Sequence, residues 1–240
     1  MSATTVRETS SSDSRELKSF VALERKLVGA SPRFVSEIDD DVIRCLSGRS
    51  RFFEEMEHTL FVASNGSEDT ARCAALINRR YQKAKNESVG FVGYFAASPE
   101  NETAVREMLA HAESWLAERG VSRIVAPCNG AAILGMGLRT AALDEDPMFP
   151  FPWHPSYYSE YLVAAGYEPT YPLWHYTVDF ASEKYRALER RASQAKSAAT
   201  RSPSIRPMLL VRLDVSTPST LIWQRPHPGV CCTLPQGRQA

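Results

Sequence analysis

Residues 89–120, VGFVGYFAASPENETAVREMLAHAESWLAERG, constrain the fold more than any other stretch of the chain. The first nine are apolar, aromatic or β-branched, the composition of a buried strand. A Pro-Glu-Asn-Glu-Thr turn follows, and then Val105, Met108, Leu109, Ala112, Trp115 and Leu116 recur at the i, i+3, i+4, i+7 spacing of an amphipathic helix. Gly120 stands where a helix C′ glycine belongs, and residues 121–126 (VSRIVA) read as the next strand. The unit is a strand, tight turn, helix and strand, which predicts a right-handed parallel crossover. Such a crossover aims the unsatisfied N–H groups and partial positive charge of a helix N-terminus over the end of the strand.

The rest of the chain supplies partners for this unit. Residues 1–16 are rich in Ser and Thr and are expected to be disordered. Residues 17–27 place Phe20, Leu23 and Leu27 on one helical face, and residues 37–45 suggest a second helix with Ile38, Val42, Ile43 and Leu46 inward. Phe52 and Phe53 read as core or as a helix-packing ridge. Two strand-like runs, 59–64 and 71–77, flank Asn65-Gly66-Ser67-Glu68-Asp69, strong hairpin-loop chemistry. Residues 79–88 read as a polar loop. After the crossover, Pro127-Cys128-Asn129-Gly130 ends the strand, and residues 144–155 (DEDPMFPFPWHP) form an aromatic, proline-rich connection. A loop this long and apolar is expected to be ordered, either plugging the sheet with Phe149, Phe151 and Trp153 or capping a pocket. Residues 156–165 read as a helix ended by Gly166, and residues 171–180 as a final strand.

Zero net charge gives no global sign of a nucleic-acid or membrane partner. The segment from Lys184 onward is basic, opposed only by Glu189 and Asp214, and reads as a solvated helical linker over 181–203. Residues 204–240 are proline-rich without a period and read as an irregular tail, or a truncated second domain opening at Ser204-Ile205-Arg206-Pro207-Met208. Five cysteines without a C-x-x-C pair argue against a disulfide framework or a zinc site, and no signal peptide or membrane span is visible, so a soluble, cytoplasmic protein is expected. His58, His111, His154 and His175 lack metal-ligand spacing. Only His154, beside the aromatic loop, is placed to act as a base, and Cys128 reads as a small strand-end residue.

The order helix, helix, hairpin, strand–turn–helix–strand, helix, strand over residues 17–180 resembles the GNAT superfamily of acyl-CoA N-acyltransferases. The segments G-F-V-G-Y-F with A-E-S-W-L-A-E-R-G, V-A-P-C-N, and P-S-Y-Y-S-E-Y-L-V-A-A-G-Y-E-P carry the likeness, and are similar to an uncharacterised bacterial GNAT-like group. The resemblance implies an α/β fold: a mixed central sheet flanked by helices, with a β-α-β acyl-CoA crossover. It implies transfer of an acetyl group from acetyl-CoA, without a metal, to an amine of a small molecule or peptide. Pantetheine would run along the backbone of Tyr94, Phe95 and Ala96. Pyrophosphate would meet the N–H groups of Thr103, Ala104, Val105 and Arg106, with the Arg106 side chain as a phosphate partner. Asn129 would sit where the two strands splay, and Tyr157, Tyr158 or Tyr161 would protonate the leaving thiolate, a phenol being suited to that task. The departures are equally specific. The glycines of the family's pyrophosphate loop are absent, Glu100 and Glu102 stand at the helix mouth, and residues 91–97 carry no carboxylate to act as a base. A fold module that binds without catalysing is the alternative these departures favour.

Overall fold

The structure, a computed structural model, describes residues 3–147, 153–173, 181–199 and 220–226. Contacts divide the chain into one unit of Met1–Leu173 with Ser219–Ala240 and another of Trp174–Pro218. In the second, the described residues form one helix, Glu183–Ala199, over the segment expected to be a basic helical linker.

The first unit is built on a single mixed sheet. Strands β1 (Thr4–Thr9), β2 (Met56–Asn65), β3 (Glu68–Asn78) and β4 (Val89–Ala97) pair antiparallel in that order. β4 then pairs in parallel with β5 (Arg123–Ala126), across the crossover helix Glu102–Glu118. This is the β-α-β unit expected from residues 89–126. Beyond β5 the sheet continues antiparallel through strand Thr220–Pro226, which also pairs with Leu138–Arg139 and Glu168–Leu173.

Numbered in chain order, the helices of this unit are α1 (Ser14–Val28), α2 (Asp39–Leu46), α3 (Arg79–Lys85), α4 (Glu102–Glu118) and α5 (Tyr157–Ala164). The apolar residues on one face of the sheet cluster with those of α1 and α2, and those on the other with α4 and α5. Strand alternation divides the chain between these clusters: on β2, Leu60 and Val62 go to one and Phe61 and Ala63 to the other. β3 is rich in small residues (Ala71, Cys73, Ala75) on the face that meets α4, which allows close helix-on-sheet packing. α4 buries Val105, Met108, Leu109, Ala112 and Leu116, and Gly120 follows it at φ +76°, as a C′ glycine should. Trp115 is only partly buried and carries the Arg119 guanidinium 3.8 Å above its ring.

Several expectations are corrected. Residues 4–9, expected within a disordered segment, form edge strand β1. Its polar side chains find partners on the hairpin: Arg7 forks onto Asp69 at 2.6 and 2.7 Å, and Thr4 meets Asn65 at 3.1 Å. Residues 79–85, expected as loop, form α3 because Asn78 caps it, accepting from the Tyr81 N–H at 2.9 Å, while Asn86 closes it in the left-handed region. Phe53 is core, but Phe52 is 55% exposed. Thr220–Pro226 is a strand inside the segment expected to be an irregular tail, and its Arg225 is tied to Glu113 of α4 at 2.7 Å. Of the strand expected over 171–180, residues up to Leu173 are in β-structure, while 174–180, Phe149 and Phe151 lie outside the described residues.

Candidate active site

The parallel ladder between β4 and β5 runs from Val89 opposite Arg123 to Phe91 opposite Val125 and then stops. A last bond joins the Cys128 N–H to the Val92 carbonyl at 2.8 Å, after a cis Ala126–Pro127 peptide. At this point β4 carries a bulge. Its register with β3 jumps from Gly93 opposite Ala74 to Ala96 opposite Arg72, and Tyr94 takes φ +48°. The bulge inverts the alternation of the strand: Phe91 and then Tyr94 join the α1/α2 cluster, whereas Val92, Phe95 and Ala97 join the α4/α5 cluster. Gly93 is required there, since a Cβ on it would lie 2.3 Å from the Cys128 carbonyl oxygen and 2.7 Å from the Asn129 Cα.

Asn129 bridges the splay. Its Oδ1 accepts from the Tyr94 N–H at 2.7 Å, and its Nδ2 donates to the Leu134 carbonyl at 2.8 Å and lies 3.5 Å from Glu37 Oε1. The splay opens on a cavity of about 60 Å³ whose polar lining includes Glu24, Glu37, Arg72, Asn129, His154 and Tyr158.

Arg72 is the charged centre of this lining and is 1% exposed. Its guanidinium donates to the Phe20 and Val21 carbonyls at 2.8 and 2.9 Å and to Glu24 Oε2 at 2.8 Å, while its Nε has no partner. Glu37 lies in the α1–α2 loop, held there by Arg25, which bonds both Ser36 Oγ and Asp39 at 2.9 Å. Burial, reinforced by the neighbouring Glu24 carboxylate and opposed by Arg72, pushes the Glu37 carboxyl up to about 7. No motif or spacing in the sequence pairs Glu24 with Glu37. Arg72 had left a trace, as a lone charge inside the apolar run of residues 71–77.

The three tyrosines of α5 divide between two places. Tyr158 is buried, accepts the Ala97 N–H at 2.9 Å and lines the splay cavity, with its phenol pushed up by burial. Tyr157 donates to the Ala97 carbonyl at 3.0 Å, and burial raises its phenol to about 12. Tyr161 donates to the Ser98 carbonyl at 3.1 Å and accepts the Asn101 N–H at 3.0 Å. Tyr157 and Tyr161 therefore clamp the chain between the end of β4 and the start of α4. His154 is not a free base, since its Nε2 accepts the Arg139 N–H at 2.6 Å and burial pushes it down to about 4, leaving it neutral. Burial raises the Cys128 thiol to about 12, so it carries no thiolate near neutrality.

Tyr157 and Tyr161 also line a second cavity, of about 780 Å³, at the N-terminus of α4. Thr103 and Ala104 border it with first-turn N–H groups that have no intrahelical acceptor. Val105 does not offer its N–H, which bonds the Asn101 carbonyl at 3.0 Å, and the exposed Arg106 is not among the lining residues. Glu100, Glu102 and Glu160 are. Three carboxylates with no lining cation among the described residues oppose a diphosphate here, against the attraction of the helix dipole. Also among the described residues, no group of three His, Cys, Asp or Glu side chains is placed to hold a metal ion, and no helix is long and apolar enough to cross a membrane.

No family model matches the chain. A protein named bacterial ceramide synthase, from Caulobacter vibrioides, is 29% identical over 182 residues, 75% of this chain and 47% of the relative. The chain thus spans about half the length of that curated relative. Among solved structures, a protein assigned as an acetyltransferase, from Salmonella typhimurium and described with its cofactor acetyl-CoA, matches at a TM-score of 0.50 and 9% identity, over 96% of this chain and 97% of that one. A tandem GNAT protein from the clavulanic acid biosynthesis pathway also matches at a TM-score of 0.50, with 11% identity over 71% of this chain and 46% of that one. The chain has the GNAT fold.

Proposed function

We propose that this chain is an N-acyltransferase that moves an acyl group from a thioester donor to a primary amine at the β4/β5 splay. The observation that carries the reading is the splay itself. A bulged β4 parts from β5 beyond Val92, Asn129 spans the gap, and Tyr158 lines the cavity that opens there. Backbone beside a parted strand suits the amide groups of a pantetheine arm, and Phe95, Ala96 and Tyr94, whose N–H is held by Asn129, line that stretch.

Reaction forms a C–N bond to the thioester carbonyl and breaks the C–S bond, leaving a thiolate that must gain a proton. Tyr158 is the acid in this reading. Its oxygen already accepts from the Ala97 N–H, which leaves its own proton to give. Burial raises its pKa, and a thiolate expelled into the same cavity is raised by the same desolvation, so the match between acid and leaving group survives.

Acetyl-CoA is the simplest donor, with its diphosphate weakly held because of Glu100, Glu102 and Glu160. The acceptor we favour carries an aliphatic chain. Val35 and Ile38, which flank Glu37, and Ile133, beside the Leu134 that receives Asn129, are 60%, 69% and 72% exposed, an apolar surface on the two loops that meet near the splay. The name of the Caulobacter relative points the same way, since ceramide is the amide of a long-chain amino alcohol. A second reading, a GNAT-fold binding module without catalysis, draws on the acidic α4 cavity.

Thiol release separates the two. Acetyl-CoA and a long-chain acyl-CoA are each offered with n-octylamine, sphinganine and a lysine peptide. Turnover with an aliphatic amine, reduced about 10²-fold in Tyr158→Phe, is the expected result. Absence of thiol release across the panel at millimolar donor overturns the catalytic reading.

A further inference from the structure

An acceptor amine reaches a thioester as a nucleophile only after losing a proton, and β4 carries no carboxylate at the splay. On the reading proposed above, something else must take that proton. Three groups in the cavity are chemically able to accept one: His154, Glu24 and Glu37. His154 already uses its Nε2 lone pair on the Arg139 N–H, and Glu24 is fixed in an ion pair with Arg72 at 2.8 Å. Glu37 remains. Its nearest polar partner is the Asn129 amide at 3.5 Å, whose other end holds the Tyr94 N–H beside the parted strands.

We infer that Glu37 is the general base of this site and that, with the Glu24–Arg72 pair beside it, it forms a subsite for a primary alkylammonium ion. The charge arithmetic supports the ligand class. Arg72 and Glu24 neutralise each other, so an ionised Glu37 leaves the cavity one negative charge in excess, which a single ammonium cancels. The other titratable groups that act on Glu37 or share its cavity are Tyr94 of β4, Cys45 of α2, Tyr158 of α5 and His154, all of them neutral near pH 7 by the burial that raises the first three and lowers the last. With burial and Glu24 holding Glu37 near neutrality, its carboxylate is a base matched to the working pH.

The step balances. Glu37 takes one proton from the ammonium, the free amine attacks the carbonyl carbon, and the C–S bond breaks. Tyr158 gives its proton to the sulfur and regains the second proton that nitrogen sheds as the amide forms. Glu37 returns its proton to solvent, so amide, thiol and one proton leave.

Two measurements test this on the full chain, one of them needing no donor. Glutamate labelled with ¹³C at the side-chain carboxyl is titrated by NMR, the Glu37 signal being the one lost in Glu37→Gln, and n-octylamine binding is followed by calorimetry from pH 6 to 8 with n-octanol as control. We expect a Glu37 midpoint near 7, moving down in Glu24→Gln as its carboxylate neighbour is removed and Arg72 is freed. Octylamine affinity should rise roughly tenfold across that range, following Glu37 ionisation, and lose this dependence in Glu37→Gln. A midpoint near the ordinary value of 4.5 overturns the inference, as does octylamine binding that is flat with pH and unchanged in Glu37→Gln. Thiol release by the wild type would then still uphold acyl transfer. The converse result, an intact Glu37 titration and ammonium binding without any thiol release, would overturn acyl transfer and leave the subsite standing.

Discussion

Gly93→Ala strikes the point on which the site depends. The added Cβ would sit 2.3 Å from the Cys128 carbonyl oxygen and 2.7 Å from the Asn129 Cα, both backbone atoms with no rotamer to relieve the clash. Restoring ordinary contact requires about 1 Å of separation between β4 and residues 128–129, an overpacking cost of about 1–3 kcal/mol. That movement also strains the Cys128 N–H to Val92 carbonyl bond and the Tyr94 N–H to Asn129 bond, each worth about 1 kcal/mol. The expected loss is about 3–5 kcal/mol, a large part of the ~5–15 kcal/mol that holds a domain folded. Gly90→Ala is the control, since its Cβ would meet side-chain carbons of Leu116 and Val121 at 2.8 and 3.0 Å, which can rotate, so about 1–2 kcal/mol is expected. Both glycines lie on β4, and any propensity gain from alanine applies to both. Urea unfolding at neutral pH reads the difference directly. Equal losses within about 0.5 kcal/mol would refute the claim that close backbone approach at Gly93 defines the splay.

Three further outcomes follow from the same geometry. Glu37 holds a proton in the folded state between its ordinary pKa of 4.5 and about 7, a proton the unfolded chain releases, so the wild type loses stability as pH rises through that window. Glu37→Gln escapes this loss and should gain about 1–3 kcal/mol on the wild type between pH 4.5 and 8 in urea titrations; a difference independent of pH contradicts the burial argument. Tyr161→Phe removes bonds to Ser98 and Asn101 and should cost about 1–2 kcal/mol in unfolding, with a smaller effect on turnover than Tyr158→Phe; the reverse ranking of rates would move the acid to Tyr161. The double variant Glu100→Gln, Glu102→Gln should bind acetyl-CoA about threefold or more tightly at low salt, an advantage that shrinks as salt is added; no change in calorimetry would mean that the diphosphate sits away from α4.

What the sequence made legible is what local pattern encodes. Val89 to Ala126 alternate between period-free strand and 3.6-period helix, Gly120 marks the helix end, and these predict the crossover and the direction of α4. Of the residues named by resemblance, Asn129 and Tyr158 lie at the splay, while Tyr157 and Tyr161 hold the connection from β4 to α4. Residues placed by long-range pairing were hidden. β1 reads as polar because an edge strand shows one face to water, and its partners lie on a hairpin some 60 residues away. Glu37 stands in a loop with no motif, and its meaning comes from Glu24, Arg72 and Asn129, drawn from three separate elements. The β4 bulge was equally unreadable, since every residue from Val89 to Ala97 is buried and a wholly apolar run has no phase to lose. Phe52 faces outward while Phe53 is buried because adjacent aromatics on a short 3₁₀ turn cannot both face inward.

If the β4/β5 splay joins an amine to an acyl group, an amide must appear as the thiol is released. Mass spectrometry of the product from an acyl-CoA and n-octylamine, with stoichiometric protein, tests it most directly. N-octyl amide should form in step with free thiol, be abolished by heating the protein and be strongly reduced in Tyr158→Phe and Glu37→Gln. Thiol release without amide, or amide formed equally by wild type and both variants, would contradict it.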